Sequence, residues 1–479
     1  MLLSRFKSLL VLLAALSLIA AACSGDDSEE TDASASASAS EASDEEASDE
    51  EAMEEEDDEA MEEEDDEAME EEGDGDLAGT TVTISGPENS ELDTGALTAA
   101  FAPFTERTGI EVIYTGSRDF SDNVGVQAEA GTATDILFFP QPGKVADFAR
   151  DGFIQALPDD VVEASNSNWS SDWTGFGTVD GTVYGVPVKA DLKSLVWYQP
   201  AVFEEKGYEV PGTWDDFKAL ADEMIANGDT PLCVGIESGG ATGWAFTDWM
   251  EDLMLRFHGA EVYDQWVNHE IPFNDERVVE VMDEILTLWN TPGMVFASGG
   301  TIATTPFAEN AVPLVEQDCL MHRQANFFAG NFPEGTPAND GSAEAVNAFY
   351  FPTVNGDRPL LVAGVIATAF NDRPEVMEVL KYATTAEYAD ARQAYQSEQL
   401  GGSTSGFLSA VSGWDAGNLN ALEASFLDIF AAAEVTRFDA SDLMPAAVGA
   451  GTFWTEGTAA VNGDKTAQEA ADAIEDSWP

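Results

Sequence analysis

From Ser24 to Asp76 the chain runs for 53 residues without a Lys or Arg, and 29 of those residues are Asp or Glu. Nearly all the others are Ala, Ser, Gly or Met. Such a stretch cannot bury enough apolar surface to offset the entropy lost on ordering, so it is expected to be disordered. Within it EAMEEEDD occurs at 51–58 and again at 59–66. That period is far shorter than the ~20 or more residues of a solenoid unit, so it reads as low-complexity expansion. Binding of cations or of basic wall components is one use for such a segment; a solvated spacer is the simpler one. At this length the r.m.s. reach is roughly 40 Å, and self-repulsion lengthens it. Whatever folds must lie in residues 77–479.

Upstream, Arg5 and Lys7 precede an apolar run from Leu9 to Ala20. The run is too short to cross roughly 30 Å of hydrocarbon with ease and has the proportions of a secretory signal peptide. Three alanines stand directly before Cys23, so the site resembles a bacterial lipobox, with Ala20 where Leu is usual. That resemblance implies cleavage before Cys23 and diacylglycerol on its sulfur; an ordinary signal peptide with an incidental cysteine is the alternative. Residues 1–22 are read as a lipoprotein signal peptide and 23–76 as a lipidated cysteine with an acidic linker. The expected location is the outer face of the cytoplasmic membrane, where several acyl chains hold a protein well and one holds it only marginally.

Without the 29 linker acids, and without Arg5 and Lys7, residues 77–479 keep 62 acidic against 17 basic side chains, a net charge of −45. Nucleic acid is therefore not an expected partner, because binding it requires Lys and Arg to neutralise phosphates. Two cysteines remain besides Cys23, namely Cys233 and Cys319. In an oxidising compartment they are expected to pair and close a loop of about 87 residues, worth roughly 4 kcal/mol. Two buried free thiols are the alternative.

The 403 residues of the body are too many for one ordinary core and enough for two lobes. Its start alternates regularly. Strands are expected at 80–85, 110–114 and 135–139, and helices at 93–108, 122–131 and 143–151, a pattern that implies a mostly parallel sheet covered by helices. Further on, Thr213 caps a helix running to about Asn227, PLCVGI at 231–236 reads as a buried strand, and helices are expected at 242–257, 275–289, 374–384 and 387–397.

Several segments carry a family resemblance: TGIEVIY, DILFFPQPG, YGVPVKADLKSLVWYQPAVFEEKGYEVPGTWDDF, ESGGATGW and FPT. With the lipobox, they resemble family 1 extracellular solute-binding proteins, the maltose-binding-like receptors of ABC importers. The resemblance covers essentially all of 77–479 and is most specific from Tyr184 to Phe217. PLCVGIESGGATGWAFTDWMED together with DCLMHRQANFF is similar to an α-glucoside-binding branch. What the resemblance implies is an α/β, two-lobed periplasmic-binding-protein fold of type II, with the ligand in the cleft between the lobes. By position, lobe 1 is 77–187 with 361–412 and lobe 2 is 188–360 with 413–479. The chain then crosses near 187–194, 352–360 and 412–418.

Sugars need flat aromatic faces for their C–H patches and carboxylate, amide or guanidinium groups for adjacent hydroxyls. Loops after the predicted strands supply Glu88, Arg118, Asp119 and Gln141, and the presumed hinge supplies Lys189 and Asp191. In GATGWAFTDW, Asp248 lies one turn from Trp244 on the same helical face, giving a stacking platform with a hydroxyl acceptor. Gly239, Gly240 and Gly243 beside Trp244 would let backbone approach a ligand. Arg323 and Gln324 offer a fork and an amide, and Gly364 and Trp454 complete the expected set. Packing alone would also account for any one of these tryptophans.

A secreted protein rich in carboxylates and tryptophans could instead be a glycoside hydrolase, but with 62 body acids a candidate pair carries no information. HExxH, Walker A and GxSxG motifs are absent, and His258, His269 and His322 lack ligand spacing. A structural surface protein would favour repeats in the body, which has none. The reading is a monomeric, cofactor-free receptor that delivers an oligosaccharide of α-glucoside type to ABC permease subunits, the alternative being a non-sugar or modified-sugar solute such as a glycosylated polyol or an aminosugar. So acidic a body is suited to salty surroundings, where screening lengths fall to a few Å. Its melting temperature is expected to fall on dilution from about 1 M to about 10 mM NaCl; an unchanged value contradicts this.

Overall fold

The computed structural model describes residues 77–401, 404–415 and 419–479. The expected signal peptide, Cys23 and the acidic segment lie outside the described residues. Strands β1 (Thr81–Gly86), β2 (Glu111–Gly116) and β3 (Ile136–Phe139) alternate with helices Glu91–Thr108 and Phe120–Glu129, as the pattern predicts. β1 pairs in parallel with both β2 and β3. Val82 and Ile84 are fully buried while Thr81, Thr83 and Ser85 are half-buried, the period of two that a sheet face packed on helices imposes. Ser90 caps the first helix by accepting the Asp93 N–H, and Gly109 ends it at φ 74°, a conformation glycine takes without strain.

A small hairpin of β4 (Thr178–Val179) and β5 (Thr182–Val183) comes next, then β6 (Gly185–Leu192) and β7 (Leu195–Tyr198), separated only by Lys193 and Ser194. β8 (Leu232–Cys233), β9 (Val295–Phe296), β10 (Met321–Arg323) and β11 (Asn347–Tyr350) follow, and β12 (Pro359–Ala369) and β13 (Val435–Phe438) are the last. Apart from the β4-β5 hairpin, the strands form two sheets. One has the order β13-β12-β3-β1-β2, with β6 also on β12, and the other β11-β7-β10-β8-β9. This is the two-lobed α/β architecture that the resemblance implies. Val82, Phe101 and Ile136 belong to the core of the first lobe, and Phe217, Trp266 and Ile285 to that of the second. Among the described residues no helix is long and apolar enough to cross a membrane.

The chain passes from the first sheet to the second at Lys193–Ser194 and returns between β11 and β12. The assignment of all of 413–479 to lobe 2 does not hold. Phe426 of helix Ala421–Ala432 packs edge-on against Trp197 of β7, yet β13 then joins the first sheet, parallel to β12. The last passage therefore follows β13, at Asp439, and only then do helices Phe453–Val461 and Ala467–Glu475 pack on Trp244–Val267 and Glu276–Trp289. β13 is four residues long with one buried position, so it has no periodic apolar pattern to reveal it. In the expected strand PLCVGI only Leu232 and Cys233 are in ladder pairing, although all six residues are half-buried or buried.

Cys233 on β8 and Cys319, two residues before β10, are joined by a disulfide with a Cα–Cα distance of 5.3 Å. It staples neighbouring parallel strands of the second sheet. Replacing both cysteines by Ser is expected to lower the unfolding free energy by about 2–4 kcal/mol in denaturant titration; a loss below about 1 kcal/mol contradicts a role in stability.

Candidate functional site

A cleft of about 370 Å³ lies between the two lobes. Glu88 after β1, Arg118 after β2 and Gln141 after β3 enter it from the carboxyl ends of parallel strands, where open α/β sheets bind their ligands. The second lobe contributes Glu237, Trp244, Thr247, Asp248, Phe307 and Phe327. Lys189, Asp191 and Lys193, on alternate positions of the segment that joins the lobes, also face the cleft.

Of the twelve residues expected at the site, nine line this cleft: Glu88, Arg118, Gln141, Lys189, Asp191, Trp244, Asp248, Gly364 and Trp454. Asp119, Arg323 and Gln324 do not. Asp119 stands at the head of the Phe120–Glu129 helix and faces the Gly239 loop. Arg323 is buried beneath the cleft because β10 is enclosed on both faces; its guanidinium meets Asp248 Oδ2 at 3.1 Å and Asp252 Oδ2 at 2.9 Å. Gln324 folds back on the chain, its Oε1 accepting the Ala325 N–H at 2.8 Å. The glycines also serve a different purpose from the expected one. Gly243, at φ 115°, lets the chain approach the Trp454 carbonyl oxygen, which lies 2.4 Å from where a Cβ would stand.

Two charge networks line the cleft. In the first lobe, Glu88 Oε1 accepts from Lys189 Nζ at 3.0 Å and from Arg392 Nη2 at 2.7 Å. Burial pushes the Glu88 carboxyl up, but Arg392 and Lys189 outweigh burial and hold it at about 2. At the junction, Lys193 Nζ lies 2.9 Å from Asp248 Oδ1, 2.8 Å from Asp439 Oδ2 and 4.9 Å from the centre of the Trp244 ring. Burial drives Asp439 up to about 6 against the pull of Lys193, and burial with neighbouring carboxylates raises Glu251 and Asp442 further. Asp248, Glu251 and Asp439 have the spacing of metal ligands, but the Lys193 ammonium already bonds to two of the three.

The ring of Trp244 is packed against Phe307 and Phe327, with centroids 4.9 and 6.0 Å away. Trp249, by contrast, packs into the core against Trp214, Trp289 and Phe351. Lys193, Phe327, Arg392, Gln396, Asp439 and Asp442 line the cleft without having been singled out from the sequence. Lys193 carried a signal, since it continues the alternate positions of Lys189 and Asp191 along one strand face. Arg392 and Gln396 sit on a polar helix remote in sequence and carried none.

Residues 89–390 match the family model for bacterial extracellular solute-binding proteins. The chain belongs to that family. It is 40% identical over 389 residues to the osmoprotective compounds-binding protein of Synechocystis sp., a match covering 79% of this chain and 88% of that relative. It is 35% identical over 421 residues to the alpha-glucosides-binding periplasmic protein of Rhizobium meliloti, covering 84% and 88%. A solved bacterial solute receptor with a preference for β-D-galactopyranose shares the fold at a TM-score of 0.69 and 18% identity, covering 83% of this chain and 98% of that one. Family membership sets aside the glycoside hydrolase reading.

In a solute-binding protein the two lobes close by a hinge motion, and the rim of this cleft shows what holds them together. Arg118 of the first lobe donates through Nη2 to both carboxylate oxygens of Glu237 in the second, at 2.8 Å each, and the Gly239 N–H donates to Glu237 Oε1 at 2.8 Å. Gly240 comes so close to the first lobe that a Cβ there would stand 2.2 Å from Asp122 Oδ2. A half-exposed pair of this kind is worth up to about 1 kcal/mol. Glu237→Gln is therefore expected to speed release of bound solute by about fivefold in stopped-flow measurements. The charge-reversed pair Arg118→Glu with Glu237→Arg should restore the parental rate, and equal rates in parent and single variant would show that the pair does not hold the lobes.

Proposed function

We propose that this solute-binding receptor of a carbohydrate ABC importer takes a short α-glucoside or an osmoprotective glycoside, and that lipid on Cys23 tethers it to the outer face of the cytoplasmic membrane. The observation that carries the carbohydrate reading is the division of labour across the cleft. Aromatic faces come mainly from the second lobe, at Trp244, Phe327 and Trp454, while Glu88, Gln141 and Asp191 of the first lobe supply carboxylate and amide groups. Trp454 Nε1 and Gln141 Oε1 are buried without a partner, which favours a ligand rich in hydroxyls. The relatives named for osmoprotective compounds and for α-glucosides support the same class. A cavity of about 370 Å³ lies at the small end of ligand pockets, which favours a disaccharide-sized ligand over a long glucan.

In this reading the open receptor captures its ligand on one lobe, closure adds the other, and the closed monomer docks on the permease subunits. Discrimination comes from polar groups left unpaired when a wrong epimer binds. The tether raises the receptor's effective concentration near its permease, and the linker gives it room to turn. Calorimetric titration of the mature chain with trehalose, sucrose and maltose tests the proposal. Binding of at least one in the micromolar range is expected without turnover, and Trp244→Ala should weaken it at least ~10-fold while leaving the melting temperature unchanged. Binding of none of the three overturns it.

A further inference from the structure

Helix Ala386–Gln399 presents Arg392 and Gln396, one turn apart on the same face, to the first-lobe end of the cleft. Arg392 is 1% exposed and Gln396 4%. Burying such groups is costly unless each polar atom finds a partner. Arg392 is held in place on two sides: Nη2 donates to Glu88 Oε1 at 2.7 Å, and the guanidinium lies 4.9 Å from the centre of the Phe407 ring. The Tyr388 hydroxyl hydrogen-bonds to the guanidinium as well, which leaves part of the donor capacity of Nε and Nη1 unused, and Gln396 Oε1 and Glu88 Oε2 have no partner. Unused N–H donors and two acceptor oxygens thus gather among three side chains of one lobe, all lining the cleft.

We infer that Arg392, Gln396 and Glu88 form a subsite for a pair of adjacent hydroxyls on the ligand. This inference rests on the carbohydrate reading above and specifies which end of the ligand is read, and how. The unused groups are N–H donors of one guanidinium and two acceptor oxygens. A hydroxyl is the one common group that donates and accepts together, so two neighbouring hydroxyls can satisfy this set. A carboxylate would meet the oxygens of Glu88 and Gln396, an ammonium would meet Arg392 and Lys189, and an apolar group would leave the whole set unpaired. The Phe407 ring is 1% exposed and so not open for stacking, and this end selects hydroxyls and not the flat face of a sugar ring. Because the guanidinium is fixed before ligand arrives, little freedom is lost on binding.

Gln396→Leu tests the inference, because it keeps the side chain's bulk, removes the free oxygen and touches none of the ion pairs. The mature parent and variant are titrated with trehalose, sucrose and maltose, and their melting temperatures are compared. Affinity for the sugars that the parent binds is expected to fall at least ~5-fold, with a melting temperature equal or higher, since an unpaired buried acceptor has been removed. Arg392→Lys, which keeps the charge but loses the fork, should weaken binding at least ~10-fold. Parental affinity in Gln396→Leu overturns the subsite and leaves the carbohydrate reading intact. A joint fall in affinity and melting temperature assigns Gln396 to the fold and also overturns it. A parent that binds none of the three sugars overturns both.

Discussion

A single ammonium holds the junction on which both lobes depend. Lys193 lies where the chain first leaves one sheet for the other, and its backbone N–H donates to Leu361 O on β12 at 2.9 Å, at the return passage. Its Nζ reaches Asp439, where the chain crosses for the last time, and Asp248 near the start of the Trp244–Val267 helix in the second lobe. Ser194 adds two more links, donating to Asp252 Oδ1 and accepting the Leu361 N–H. The three passages described above are thus gathered at one point, and that point is also part of the binding cleft. A buried pair of this kind is costly to break because the remaining partner keeps an uncompensated charge, on the order of 3–5 kcal/mol. Hinge geometry and cleft electrostatics are therefore the same construction.

This arrangement has a consequence for the surface. Lys189, Lys193, Arg256, Arg323 and Arg392 are buried, so five of the 17 body cations are withdrawn from solvent. Their partners Glu88, Asp191, Asp248, Asp252 and Asp439 go with them. What remains outside is an acidic shell with few cations to offset it, and self-repulsion there is relieved by dissolved salt.

How much of this could be read from residues alone depended on how local the signal was. β1 to β3 and their helices were legible because alternating burial and cap residues such as Ser90 lie within a few positions of one another. Strand-end residues Glu88, Arg118 and Gln141 followed from topology, since parallel strands deliver their carboxyl ends to one edge. Arg323 misled because its type suits a ligand while the enclosed strand β10 turns it to internal carboxylates. Arg118 lines the cleft as expected, yet its visible partner is Glu237 across the rim. Arg392 and Gln396 were out of reach, because only long-range packing brings their helix beside the first helix. β13 was missed for the same reason, with a pairing decided by the free edge of β12 and not by its own four residues.

The disulfide between Cys233 and Cys319 lies wholly within the second sheet and spans none of the three passages. Covalent reinforcement and domain motion are thereby kept apart. One lobe is braced as a rigid body, while the distance it travels toward the other is governed only by noncovalent contacts that form and break with each cycle of capture. Oxidation in the extracytoplasmic space can harden this protein against unfolding without locking its cleft open or shut.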